Sequence, residues 1–313
     1  MSIQKKMSSG LKLTALAFSL VLAGCANTAS DTPEEKTQAA ANSPASQFDL
    51  LGWTLSVPVD SDDNGKADQI KEKELASGYS ENNFFYLAED GGMVFKAPIK
   101  GAKTSKNTTY TRSELREMIR RGNTSYSTKG VSRNNWVFST APKEDLQAAG
   151  GVDGTLEATL KVDHVTTTGK NWQVGRVIVG QIHANKDEPI RLYYRKLPNH
   201  QKGSLYFAHE PRVGDEIWVN LIGDKSAKTT SQEDGIELGE KFSYRINVTG
   251  NTLAVTVMRP GKADITKTVD MSKSEYDTGG QYMYFKAGVY NQNKTGEPTD
   301  YVQATFYDLK VTH

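Results

Sequence analysis

Thr155 to Val165 reads TLEATLKVDHV, and the alternation in it decides the fold class. Leu156, Ala158, Leu160 and Val162 fall on one side of an extended chain, and Glu157, Thr159, Lys161 and Asp163 on the other. This is the period of two that sets one face on a core and the other in water. The same kind of short run recurs on both sides of it. NFFYLAE, GMVFKAPI and NWVFSTA precede it; VGRVIVGQIHA, IRLYYRKL, SLYFAHE, EIWVNLIG, FSYRINV, NTLAVTVM, YFKAGVY and ATFYDLKV follow. Gly, Asn, Asp and Lys turns separate the runs, and Val248 to Leu253 reads as a hairpin with Gly250 and Asn251 at its tip. No long helical period interrupts them. The pattern predicts an all-β domain of two antiparallel sheets. Residues 68–79 alone are read as a short surface helix, with Ile70 and Leu75 as its apolar contacts.

Charge is nearly balanced over the 313 residues, with Lys+Arg 38 against Asp+Glu 37. The first 24 residues hold Lys5, Lys6 and Lys12 and no acid, so the remainder carries 35 bases against 37 acids. A nucleic-acid partner is therefore not expected, because such proteins carry a basic excess. The apolar run Leu11 to Ala23 is too short to span a bilayer and reads as the core of a targeting segment covering residues 1–24. It ends in Leu22-Ala23-Gly24-Cys25, which resembles the lipobox of bacterial lipoproteins. Cys25 is the only cysteine, which fits a residue kept for lipid attachment and not for a disulfide. Residues 25–47 read as a lipidated tether rich in small polar residues, and residues 48–313 as one folded domain. Ala26 stands where an inner-membrane retention signal would place Asp, so an outer-membrane anchor is expected. Asp60-Ser-Asp62-Asp-Asn64-Gly65-Lys-Ala-Asp68 resembles the opening of a calcium loop. Its twelfth position is Lys71 and not the bidentate glutamate, so a tight turn is the preferred reading.

Three runs carry polar groups that ordinary strands do not need. In Tyr284 to Gln292, YFKAGVYNQ, the residues Tyr284, Lys286, Gly288, Tyr290 and Gln292 share a face, and Phe285, Ala287 and Val289 face a core. Gly288 reads as a gap where a ligand approaches the backbone. In Arg112-Ser-Glu114-Leu-Arg116 an extended chain puts Arg112, Glu114 and Arg116 together. A helix would pair Arg112 with Arg116 instead, and the following EMIRR does not decide. In Val177 to His183, an apolar start gives way to Gln181 and His183 on one face, with Ile182 behind.

RSELR at 112–116, QIH at 181–183 and YFKAGVYNQ at 284–292 together resemble the signature motifs of the alginate lyases of polysaccharide lyase family 7. The resemblance brackets most of residues 48–313. It implies a β-jelly roll with a concave, substrate-holding sheet and β-elimination on a polyuronate, without a metal or organic cofactor. By position it makes Arg112, Gln181 and His183 the groups around the substrate carboxylate and Tyr290 the catalytic phenol. Glu114, Arg116, Lys286 and Tyr284 would line the groove. Alginate is then the expected partner, a lipid on Cys25 the expected membrane anchor, and a monomer the expected state. The resemblance also implies that QIH goes with guluronate-containing blocks.

The residue types suit that chemistry. The C5 proton of a uronate is a poor acid beside its carboxylate, so the carboxylate charge must be neutralised by fixed donors. A base must then take the proton, and an acid must protonate the leaving oxygen at C4. In mannuronate these lie on one side, so Tyr290 can serve both roles. In guluronate they lie on opposite sides, and His183 is base to Tyr290 as acid. A jelly-roll glycoside hydrolase would need paired carboxylates. The nearest approach, Glu275-Tyr-Asp277-Thr-Gly-Gly280, lacks the second glutamate. A non-catalytic polyuronate-binding lipoprotein would not need His183 and Tyr290 together.

Overall fold

The computed structural model describes residues 41–313; the expected targeting segment, Cys25 and most of the expected tether lie outside the described residues. The strands, in chain order, begin with β1 (Trp53–Ser56), β2 (Gln69–Ile70), β3 (Phe85–Leu87), β4 (Met93–Pro98), β5 (Arg112–Glu117) and β6 (Trp136–Val137). Next come β7 (Gly151–Val152), β8 (Gly154–His164), β9 (Arg176–His183), β10 (Ile190–Arg195), β11 (Lys202–His209) and β12 (Ile217–Ile222). The last are β13 (Ile236–Glu237), β14 (Lys241–Thr249), β15 (Thr252–Met258), β16 (Ile265–Asp270), β17 (Tyr284–Asn291) and β18 (Tyr301–Thr312). Helices are short, α1 (Glu72–Ala76) and α2 (Lys143–Ala148).

Two antiparallel sheets carry the fold. One runs β12-β11-β10-β9-β17-β5-β1-β2, with β13 added beside β11; the other runs β16-β15-β14-β8-β18-β4-β3. β8 sits in the middle of the second, and its buried and half-buried residues alternate along its length as its sequence requires. Leu156, Leu160, Phe242, Ile246 and Val255 from this sheet meet Leu55, Leu115, Ile182, Leu192, Phe207, Phe285 and Val289 from the other in one core. Two buried tyrosines find acceptors there: Tyr194 donates to the Ile236 carbonyl at 2.8 Å and Tyr244 to the Val179 carbonyl at 2.9 Å. The β14–β15 hairpin turns at Gly250 and Asn251, with φ of 54° at Gly250, a conformation glycine adopts without penalty.

Several expectations are corrected. β6 and β7 pair in parallel, outside the two antiparallel sheets. The expected helix over 68–79 shrinks to α1: Ile70 instead pairs with Leu55 as part of β2, while Leu75 is a buried residue of α1. The segment RSELR, ambiguous by itself, is strand β5, because β1 and β17 supply ladder partners on both its edges. At residues 60–68, Asp60 accepts from the Asn64 and Gly65 N–H groups at 2.9 Å each, and Asp68 from Ser61 at 3.1 Å. One ligand atom from each of Asp60, Asp62 and Asp68 also falls within 4.8 Å of the others.

Candidate active site

The three polar runs become adjacent strands, with β17 between β5 and β9. Lys286 lies opposite both Arg116 and Gln181, Tyr284 opposite His183, and Tyr290 opposite both Arg112 and Ile178. Their polar side chains therefore meet on the face of the nine-stranded sheet that points away from the core. Two irregularities aim them. Along β9, Val177 and Val179 enter the core whereas Ile178 joins an outer cluster with Tyr193, Tyr206 and Ala208. The register against β10 slips at this place, and Gln181 and His183 then emerge on the outer face. Along β17, the pairing with β9 slips between Ala287 and Tyr290. Gly288 sits in that slip with φ of +130°, and a Cβ there would lie 2.6 Å from the Ser113 carbonyl oxygen and 2.9 Å from the Glu114 Cα. The close approach at this glycine is made by the backbone of β5. It is not a gap left for a ligand, as its position in the run had suggested.

Glu114 is the hub of the cluster. Its carboxylate accepts from the Lys286 ammonium and the Gln181 amide, and from Arg112 Nη1 at 3.0 Å. The residue is 3 % exposed, so it lies under the cluster and does not form its surface. Burial by itself would raise its pKa, but Lys286 and Arg112 outweigh burial and hold it below the usual carboxylate value. Lys286 is buried as well; desolvation first, and then the Arg112 charge, push its pKa down to about 8. Arg112 keeps its Nε without a partner among the described residues, and its guanidinium lies 3.7 Å from the Tyr290 ring centroid. Arg116 lies over Tyr284 at 4.0 Å and donates to the Thr128 carbonyl at 2.8 Å.

His183 stacks on Tyr284, with 5.1 Å between centroids and 10° between planes. Its Nδ1 is 2.6 Å from the Ala184 carbonyl. A carbonyl only accepts, so Nδ1 carries the proton and Nε2 is the basic nitrogen of the neutral ring. Burial, followed by Lys286, drives its pKa down to about 4. Glu188 lies 3.2 Å from Nε2, but a neutral ring has no proton there to give, so the contact is not an ion pair at neutral pH. The Tyr290 phenol is pushed up by burial, with the Arg112 charge pulling the other way. Tyr110 meets it edge-on, 6.2 Å between centroids.

Sequence reasoning had passed over the rest of this face. Arg191, Tyr193 and Arg195 of β10 project beside Tyr206 of β11 and Trp218 of β12, and Arg176 of β9 lies opposite Arg195. The signal was present in IRLYYRKL, whose alternation gathers Arg191, Tyr193 and Arg195 on one side. The hydrolase alternative loses its carboxylates here. Glu275 and Asp277 lie on the loop before β17, and Asp277 accepts from Asn251 at 2.9 Å.

The family model described as alginate lyase matches residues 48–313. An alginate lyase from Klebsiella pneumoniae is 70% identical over 286 residues, covering 88% of this chain and 93% of that protein. The crystal structure of the alginate lyase from Klebsiella pneumoniae superposes with a TM-score of 0.86, covering 87% of this chain and 98% of that one. The family 7 alginate lyase A1-II′, solved with a bound product, superposes with a TM-score of 0.63 at 25% identity, covering 87% of this chain and 100% of that one. The two-sheet sandwich is the jelly roll of these enzymes. A match across the whole folded domain, on a sheet that joins all three motifs, places this chain in polysaccharide lyase family 7, the alginate lyases.

Proposed function

We propose that the chain cleaves alginate at the outer face of β5, β17 and β9, with Tyr290 as acid and His183 as the separate base for guluronate. The observation that carries this reading is the meeting of a phenol, a neutral imidazole and an arginine on one sheet face. Arg112 is fixed through Nη1 by Glu114, with its guanidinium beside the Tyr290 ring, and donates to the uronate carboxylate. Gln181, held by one amide N–H, offers its other. These preorganised donors favour the charge that builds on the carboxylate as C5 loses its proton. His183 Nε2 takes that proton from guluronate, and the protonated Tyr290 gives its own to the departing C4 oxygen. On mannuronate the phenolate form of Tyr290, which the Arg112 charge favours against burial, takes the C5 proton and hands it to the departing C4 oxygen. The products are a new reducing end and an unsaturated uronate at the new non-reducing end.

The reading includes a bias toward guluronate or mixed blocks. Ile182 is fully buried and packs into the core, so its bulk acts only by setting where Gln181 and His183 stand. One methylene more or less in a packed site is worth about 1–3 kcal/mol of discrimination, a preference and not exclusivity. We also place the chain as a monomer on the outer membrane through a lipid on Cys25. The test is incubation with polymannuronate, polyguluronate, mixed alginate and pectin, following the ultraviolet absorbance of the unsaturated product. Absorbance from the alginates, fastest with guluronate present, is the expected result; none from any polymer would sink the activity, and equal rates would sink the preference. Intact wild-type chain found free and unlipidated in the medium would defeat the anchor.

A further inference from the structure

The outer face of the nine-stranded sheet does not end at the catalytic cluster. Tyr290 packs against the group formed by Ile178, Tyr193, Tyr206 and Ala208, which leads toward the β12 edge. Beyond it, Trp172, Arg176, Arg195, Tyr206, Trp218 and Lys225 line a cavity of about 230 Å³, about the size of one sugar residue. Arg176 and Arg195 stand opposite each other on β9 and β10, and the Lys225 ammonium is 5.0 Å from the Trp218 ring centroid. Three like charges in one small cavity repel one another unless an anion joins them. None of the three has a carboxylate partner among the described residues. Arg176 donates to the Trp172 carbonyl at 3.3 Å, and Arg195 to the carbonyls of Lys225 at 2.9 Å and of Asn171. The Nε atoms of both arginines are buried and without a partner among the described residues. Arg191, on the same strand as Arg195, is by contrast held by Glu210 and Glu216. Trp172 is 53 % exposed, a large flat apolar surface left in water at the mouth of a cationic cavity.

We propose that this cavity is a distal subsite that holds one uronate residue of the polymer, its carboxylate between Arg176 and Arg195 and its ring against the indoles of Trp172 and Trp218. The proposal rests on the alginate reading of the catalytic face. The guanidinium fork suits a carboxylate, and an aromatic face suits the C–H face of a pyranose. Strands repeat every ~4.8 Å, so the cavity lies two to three strand spacings, about 10–15 Å, across the sheet from β17. A 1,4-linked pyranose is about as long as one such spacing. The occupied residue is therefore two to three sugars away from the bond that breaks, and short substrates do not reach it.

The experiment measures kcat and KM on alginate oligomers of defined length, from trimer to octamer, for the wild type, Trp172→Ala and Arg176→Gln. Wild-type kcat/KM should climb with length and level off once the cavity is filled. Each variant should match the wild type on the trimer and lose about tenfold on the octamer through KM, the usual size of a lost anchor. Thermal midpoints confirm that the variants are folded, and the exposed Trp172 gives a variant that does not disturb the core. A wild-type length dependence in both variants would overturn the subsite, and so would an equal loss at every length. A wild type that forms no unsaturated product from any oligomer fails earlier and overturns the alginate reading itself.

Discussion

At the scale of single residues, the roles proposed for Tyr290 and His183 each make a separable prediction. Tyr290→Phe keeps the ring that Arg112 covers and removes only the hydroxyl. Acid–base groups contribute about 10²–10⁴-fold, so kcat should fall by at least about a hundredfold while KM changes little. Retention of more than a tenth of the wild-type kcat would remove Tyr290 from its role. For His183 the sign follows from its pKa, pushed down to about 4 by burial and then by Lys286. A base works in its unprotonated form, so activity is present above that value and is lost as pH falls through it. The acid limb of kcat/KM on polyguluronate should lie near pH 4 and not near the ordinary histidine value of about 6.5. A limb at 6.5 would mean that the ring is not held neutral in the free enzyme. His183→Asn should also damage polyguluronate cleavage more than polymannuronate cleavage, and equal losses would leave His183 as a carboxylate neutraliser only. That Tyr290 shares a face with Tyr284 and Lys286, and His183 one with Gln181, was legible from alternation. Their ionisation was not, because it depends on burial by strands distant in sequence. Glu114 shows the same limit: it looked like part of a charged surface, yet its partners Gln181 and Lys286, 67 and 172 positions away, enclose it.

At the scale of the element, β17 is positioned by an irregularity, and Gly288 holds it. Any side chain at φ of +130° is strained, and a Cβ would also press on the backbone of Ser113 and Glu114, which cannot move aside without breaking the β5 ladder. Gly288→Ala should therefore lower stability by about 1–3 kcal/mol, read as a drop in the denaturant midpoint. It should also cost activity, because Tyr290 sits two residues on. An alanine variant with wild-type midpoint and rate would show that the slip between Ala287 and Tyr290 does not aim the phenol. This is also where reading by period ran out. Alternation tells which face a residue takes only while the register holds, and both β9 and β17 slip beside the site. The glycine was visible in the sequence, but whether it faced a ligand or a neighbouring strand depended on a partner 174 positions earlier, Glu114. For β5 the ambiguity was sharper, since RSELR satisfies both periods until its two neighbours are known.

At the scale of the whole molecule, attraction for a polyanion cannot come from net charge. Without the first 24 residues the chain carries 35 bases and 37 acids, a slight excess of the same sign as alginate. The attraction has to be local, and one sheet face supplies it. Around Glu114 two cations, Arg112 and Lys286, share one carboxylate, and Arg116, over the Tyr284 ring, adds a third charge that has no carboxylate partner among the described residues. Arg176, Arg195 and Lys225 extend the same sign toward the β12 edge. Fields of this kind raise encounter rates by about 10–10³-fold and weaken as salt shortens the Debye length from about 30 Å at 0.01 M to about 10 Å at 0.1 M. Initial rates at subsaturating alginate should accordingly fall several-fold between those salt concentrations. The rate at saturating alginate should stay nearly constant, because chemistry in a desolvated cluster is screened far less. An equal loss in both regimes would point to salt acting on the catalytic cluster itself, and a flat response in both would mean that the cationic face does not gather substrate.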